Sequence, residues 1–145
     1  MTKNRPATAV AALLLAACTA GILSGCSTAN DLLERKVTTH HDNVAEMAEG
    51  AAVSADWVPE DATEITVRTP VETDSGAAVL LLTSASDLAD PCEETERNSS
   101  PTLTLENAPD AYKADTVFVC GEWSVIRSGG QWFGWTPNTG DARPQ

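Results

Sequence analysis

Two adjacent glycines, Gly129 and Gly130, separate short runs rich in β-branched and aromatic residues, Trp123 to Ser128 on one side and Gln131 onward on the other. Glycine reaches positive φ without a Cβ penalty, so the pair suits a two-residue β-hairpin turn. This feature constrains the fold more than any other, because a loop of two residues fixes the register of both strands. Arg127 is set opposite Trp132, Ile126 opposite Phe133 and Val125 opposite Gly134. Side chains alternate along a strand, so one face of the hairpin carries Ile126, Phe133 and Trp135. The other carries Trp123, Val125, Arg127 and Trp132. Both faces are partly apolar, so the hairpin is either covered on two sides or leaves one aromatic face open for a ligand.

Other β signals lie upstream. Ile65, Val67 and Thr69 alternate with Thr66 and Arg68, the pattern of a half-buried strand. Thr73-Asp74-Ser75-Gly76 reads as a turn, and Ala77 to Thr83 is a continuous apolar run fit for a central strand, so the two make an antiparallel hairpin. Pro59 forces Val58 to be extended, and Trp57 anchors the start of this β region. Thr116 to Cys120 is strand-like. Between Ser84 and Pro109 the pattern is less regular, with a short helical turn expected at Ser86 to Ala89 and a weak strand at Thr102 to Leu105. Ahead of the β region, Asp31-Leu32-Leu33-Glu34 has the form of a capping box. Leu33, Val37, His40 or His41, Val44 and Met47 or Ala48 recur at helical spacing up to Gly50, which predicts a helix over 32–49. The sum is an α+β fold: an amino-terminal helix packed on a small antiparallel sheet of about five strands, with one disulfide.

The first 25 residues follow a different logic. Met1 to Arg5 carries two positive charges, Ala7 to Ile22 is almost wholly apolar, and small residues follow. That is the order of a secretory signal. Its end, Leu23-Ser24-Gly25-Cys26, resembles the lipobox of bacterial lipoproteins. The resemblance implies cleavage between Gly25 and Cys26, a diacylglyceryl thioether on the Cys26 thiol and acylation of the new amino terminus. Two or three acyl chains anchor stably where a single chain is marginal. Leu15-Ala16-Ala17-Cys18 has the same form, but cutting there leaves an apolar core of only about nine residues. Cys26 is therefore the expected lipidation site, and the expected location is the extracytoplasmic face of the cell membrane. The organisation read from the sequence is a signal peptide over 1–25, a lipid-anchored linker over 26–31, one domain over 32–137 and a disordered tail over 138–145.

Charge and cysteine content narrow the partners. Removing Lys3 and Arg5 with the leader leaves seven basic and twenty-one acidic residues, a net charge of −14 with histidines neutral. Nucleic acid is excluded as a partner, since phosphate backbones demand Lys and Arg. With Cys18 removed and Cys26 lipidated, Cys92 and Cys120 remain, and an exported pair predicts one disulfide. It closes a loop of about 29 residues, contributing ~3 kcal/mol in the chain-entropy model.

Several patterns invite chemistry. His40-His41-Asp42 suggests a metal, but adjacent histidines on a helix point about 100° apart and do not share an ion easily. Asp87, Asp90, Glu93, Glu94 and Glu96 lack the alternating ligands and central Gly of a calcium loop. No Gly-x-Ser-x-Gly elbow occurs, and both histidines fall on the expected helix, so histidine-based acid or nucleophilic catalysis is not expected. No metal or cofactor is expected either. Trp123, Arg127, Trp132 and Trp135 form the candidate ligand site, with indole faces for a sugar ring and Arg127 against Trp132 as a cation–π pair. The stretches Asp56 to Ile65, Phe118 to Trp123 and Trp132 to Pro137 are similar to small actinobacterial lipoproteins. That resemblance carries no catalytic residues and implies an envelope binding or structural role. The expected function is a non-enzymatic, membrane-anchored lipoprotein with a protein partner in the envelope. The alternative is a glycan or small-ligand module built on the tryptophan hairpin.

Overall fold

A computed structural model describes residues 35–50, 53–72, 76–89 and 92–139. Cys26, Gly25 and the capping-box residues Asp31 and Glu34 lie outside them. The described chain forms one antiparallel sheet from β1 (Lys36–Asn43), β2 (Thr63–Pro70), β3 (Ala78–Thr83), β4 (Cys92–Glu96), β5 (Thr116–Cys120), β6 (Trp123–Ser128) and β7 (Gln131–Thr136). A short helix, α1 (Val44–Gly50), follows β1, and a 3₁₀ turn (Ala111–Lys113) precedes β5.

Strand order is β1-β2-β3-β7-β6-β5-β4. The chain meanders through β1, β2 and β3, crosses to the far edge, and meanders back through β4, β5 and β6 until β7 pairs with β3. The glycine hairpin sits as its turn dictates: Arg127 pairs with Trp132, Ile126 with Phe133 and Val125 with Gly134. The left-handed φ falls on Gly129, at 61°.

Both faces of the sheet are covered. On one, Ile65, Val67, Leu80, Leu82, Val125 and Trp132 pack under Met47 of α1 and under Ala55, Trp57 and Val58 of the segment before β2. On the other, Val79, Leu81, Ile126, Phe133 and Trp135 pack under Leu103 and Ala111 of the segment between β4 and β5. Two-sided burial explains why β3 is an unbroken apolar run, since neither set of alternating side chains meets water. Arg97 ties down the second cover: its guanidinium donates to the Ala114 and Ser99 carbonyls and to Ser100 Oγ, at 2.9–3.1 Å. Beneath it, Trp135 Nε1 donates to Ser99 Oγ at 2.9 Å, and Ser99 Oγ and Ser124 Oγ lie 3.0 Å apart.

The expected amino-terminal helix is corrected. Residues 36–43 are a strand, paired with β2 from Lys36 opposite Pro70 to Asn43 opposite Thr63, and among the described residues of that span only Val44–Gly50 is helical. Val37, Thr38 and Thr39 are consecutive β-branched residues, stiff at χ1 and well suited to a pleated surface. The working cap lies twelve residues beyond the one read from the sequence. Asn43 Oδ1 accepts the Glu46 amide at 3.0 Å, and Glu46 Oε2 accepts the Asp42 amide at 2.8 Å. The described residues are thus mostly β, with seven strands instead of about five. Neither the helical turn at Ser86 to Ala89 nor the strand at Thr102 to Leu105 is present. The acidic run Cys92–Glu96, assigned to irregular chain, is the edge strand β4, held by pairing with β5.

Candidate functional site

The tryptophans that suggested a ligand platform serve the core. Trp123, Trp132 and Trp135 are 6%, 3% and 0% exposed, and Trp135 lies on the opposite side of the sheet from the other two. Their N–H groups are satisfied internally: Trp123 by the Ser54 carbonyl at 3.0 Å, Trp132 by the Ser86 carbonyl at 3.1 Å and Trp135 by Ser99. Arg127 does lie over Trp132, 4.8 Å from the ring centroid, and pairs with Asp87 at 3.1 Å. This exposed ion pair caps the outer end of the ring and contributes little to stability. The three indoles together offer no open face on which a sugar could stack. His40 and His41 occupy a strand, so they point to opposite faces. They meet Thr66 Oγ1 and Thr39 Oγ1 at 3.0 and 3.1 Å.

Cys92 and Cys120 stand directly opposite each other on β4 and β5 and form a disulfide, with Cα atoms 4.4 Å apart. Asp115 O accepts the Arg97 amide, which makes 97/115 a hydrogen-bonded pair. By the alternation of an antiparallel ladder, 92/120 is then a non-hydrogen-bonded pair, the closely spaced kind. Register therefore brings the sulfurs together, a relation that cysteine counting does not supply.

Beside the disulfide opens a cleft of about 290 Å³. Its inner wall is the bridge itself with Trp57 and Trp123, whose rings meet edge to face at 5.8 Å. Asp56 and Glu122 stand at its rim. The rim is held by local bonds. Ser54 Oγ donates to Asp56 Oδ1 at 3.0 Å, and Asn138 donates from its side chain to the Gly121 carbonyl and from its backbone to the Glu122 carbonyl, at 2.6 and 2.9 Å. Gly121, at φ 61°, makes the tight β5–β6 turn that presents Glu122.

Trp57 differs from the other three. It is 3% exposed, lines the cleft, and its Nε1 is buried without an acceptor. An unmet buried donor costs about 1–3 kcal/mol. It owes its position to Gly134, since a Cβ there would stand 2.5 Å from Trp57 Cζ2. Sequence reading singled out Trp57 as an anchor and missed the cleft. Asp56 and Glu122 lie 66 positions apart and meet only through the packing of Trp57 on Trp123.

One further group is electrostatically set. The Ser84 hydroxyl, donating to Asp61 Oδ1 at 2.6 Å, holds this carboxyl below the usual aspartate range, with help from Ser86 and the Ala85 amide. The contact ties the 84–86 segment to the cover over the first face.

The class defined by these features is a small antiparallel β domain, covered on both faces, with a disulfide at one edge and an acid-rimmed cleft beside it. Comparisons with protein-family models, with curated proteins and with solved structures give no significant match.

Proposed function

We propose that this chain is an exported lipoprotein, held on the extracytoplasmic face of the cell membrane through acylated Cys26, whose domain binds a protein partner in the envelope and is not an enzyme. The observation that carries the reading is the disulfide. Bridges between directly opposed cysteines persist in oxidising compartments and are rare where thiols are kept reduced. It agrees with the secretory pattern over 1–25 and with the lipobox-like Leu23-Ser24-Gly25-Cys26. Among the described residues no helix is long and apolar enough to cross a membrane; the anchor in this reading is the lipid on Cys26. Nine residue steps from Cys26 to Arg35 reach at most roughly 30 Å, which keeps the sheet close to the bilayer.

Metabolic labelling with a radioactive fatty acid tests the anchor. The wild-type chain should carry label and partition into the detergent phase, and Cys26→Ser should lose both properties. Labelling that persists in Cys26→Ser and disappears in Cys18→Ser would move the anchor, and no label in either would remove it.

A further inference from the structure

We infer that the corner of the sheet formed by the start of β1 and the end of β2 rests on the lipid bilayer, with Val37 and Val71 immersed at its surface; the choice of a bilayer rests on the Cys26 anchor proposed above. Register puts the two valines together. Val37 stands opposite Thr69, and the Val71 amide donates to the Arg35 carbonyl at 2.8 Å, so the ladder runs on to an Arg35/Val71 pair. Val37 and Val71 are thus diagonal neighbours on one face of the sheet.

That face is the one covered by α1 and by the segment carrying Trp57. Ile65, Val67, Thr69 and Val71 are alternate residues projecting from it, and burial fades along the row. Ile65 and Val67 are 0% and 2% exposed, whereas Val71 is 54% exposed. On β1, His41 opposite Ile65 is buried, while Val37 is 44% exposed. The cover stops and the apolar row goes on. Among the described residues only one other large apolar side chain, Tyr112, is exposed.

The path of the chain identifies the occupant. The bare end of the row is the end at which the chain arrives from Cys26, nine residue steps before Arg35. A surface tethered at such short range meets lipid at an effective concentration on the order of millimolar, so contacts too weak to hold a free protein are enough to orient an anchored one. Valine side chains gain by leaving water for the boundary between headgroups and acyl chains. Arg35 and Lys36, two of the seven basic residues after Cys26, stand at the same corner, and their methylene stems can lie along the interface with the charges among phosphates. Glu72, paired with Arg35 at 2.8 Å, offsets one of these charges. The glutamates of β4 lie at the opposite edge of the sheet, away from this surface.

The test uses the protein purified from membranes and placed in nanodiscs of phosphatidylethanolamine and phosphatidylglycerol, with a nitroxide on a fraction of the headgroups. NMR relaxation is read at valine methyls and backbone amides. The Gly129-Gly130 turn marks the far end of the sheet, since Gln131 is opposite Thr83, Thr83 opposite Thr63 and Thr63 opposite Asn43. Val37 to Asn43 spans roughly 20 Å at the usual strand rise, and paramagnetic broadening falls with the sixth power of distance, so the Val37 and Val71 methyls should relax at least about tenfold faster than the Gly130 amide. The exposed double substitution Val37→Ser/Val71→Ser should keep the wild-type Tm and the fatty-acid label while removing the contrast between the Arg35 and Gly130 amides. Equal broadening at both ends of the wild-type sheet, stronger broadening at Gly130 or Tyr112, or a contrast that survives the double substitution would overturn the proposal. Valine signals that move with protein concentration and ignore the nitroxide would assign the patch to a second copy, and the bilayer contact would fall. A chain that takes fatty-acid label but whose valines escape broadening keeps the anchor and loses the contact. A chain without label whose valines still broaden in the discs keeps the contact and loses the anchor.

Discussion

Gly134→Ala adds one methyl group at the centre of the domain, and the structure states what that methyl meets. The new Cβ would lie 2.5 Å from Trp57 Cζ2, 3.1 Å from Trp57 Cη2 and 3.2 Å from Trp123 Cε3. Carbon atoms in contact prefer about 3.5–4.0 Å, so the Trp57 ring must withdraw by roughly 1 Å. It has little room to do so, being 3% exposed and locked edge to face against Trp123. Overpacking of this kind costs up to about 3 kcal/mol, and relief of glycine's backbone entropy returns roughly 0.5–1. The net loss is about 2 kcal/mol, which in a domain of this size lowers Tm by roughly 8 °C. Thermal unfolding followed by near-ultraviolet circular dichroism reads both the Tm and the Trp57–Trp123 environment. Gly130→Ala is the control, because nothing lies within 4 Å of its Cβ position and its φ is not left-handed. Trp57→Phe should make room for the alanine, so the double variant should recover at least about 1 kcal/mol relative to additivity. A Gly134→Ala protein as stable as wild type, or strict additivity with Trp57→Phe, would refute this account of the core.

Two further outcomes follow from the geometry. Replacing Cys92 and Cys120 with serine should lower stability by ~3 kcal/mol, since the bridge spans a sequence separation of 28, and urea unfolding measures the loss; an unchanged midpoint would refute it. Asp61 has a folded pKa below its ordinary value of 3.8, so its contribution is present above that pH and is lost as pH falls through the lower folded value. Asp61→Asn should therefore flatten the acid limb of the stability profile, and a limb that keeps its slope would show that other carboxylates set it.

What could be read along the chain was whatever depends on short-range rules. The two-residue glycine turn set the β6–β7 register and the division of Ile126, Phe133 and Trp135 from Trp123, Val125 and Trp132. The β2–β3 hairpin followed from alternation and an apolar run in the same way. Residues 36–43 show where such rules fail. Their apolar positions are compatible with helical spacing, but the backbone of β2 offered a ladder that a helix there would leave unpaired. Asn43 and Glu46 used the same capping chemistry expected at Asp31 and Glu34, in a place that only the end of β1 decides.

The sequence by itself determined the central hairpin and the strong acidity of the chain, and it singled out Cys92 and Cys120 as the pair to join. Tertiary structure alone decided that both faces of the sheet are covered, which turned a suspected tryptophan platform into core. It also decided that Asp56 and Glu122 share a rim beside the disulfide. The physical reason is range: turn geometry and side-chain alternation act over a few residues, whereas the cleft needs Trp57 to reach across the sheet to the bare Cα of Gly134. No local pattern records that meeting.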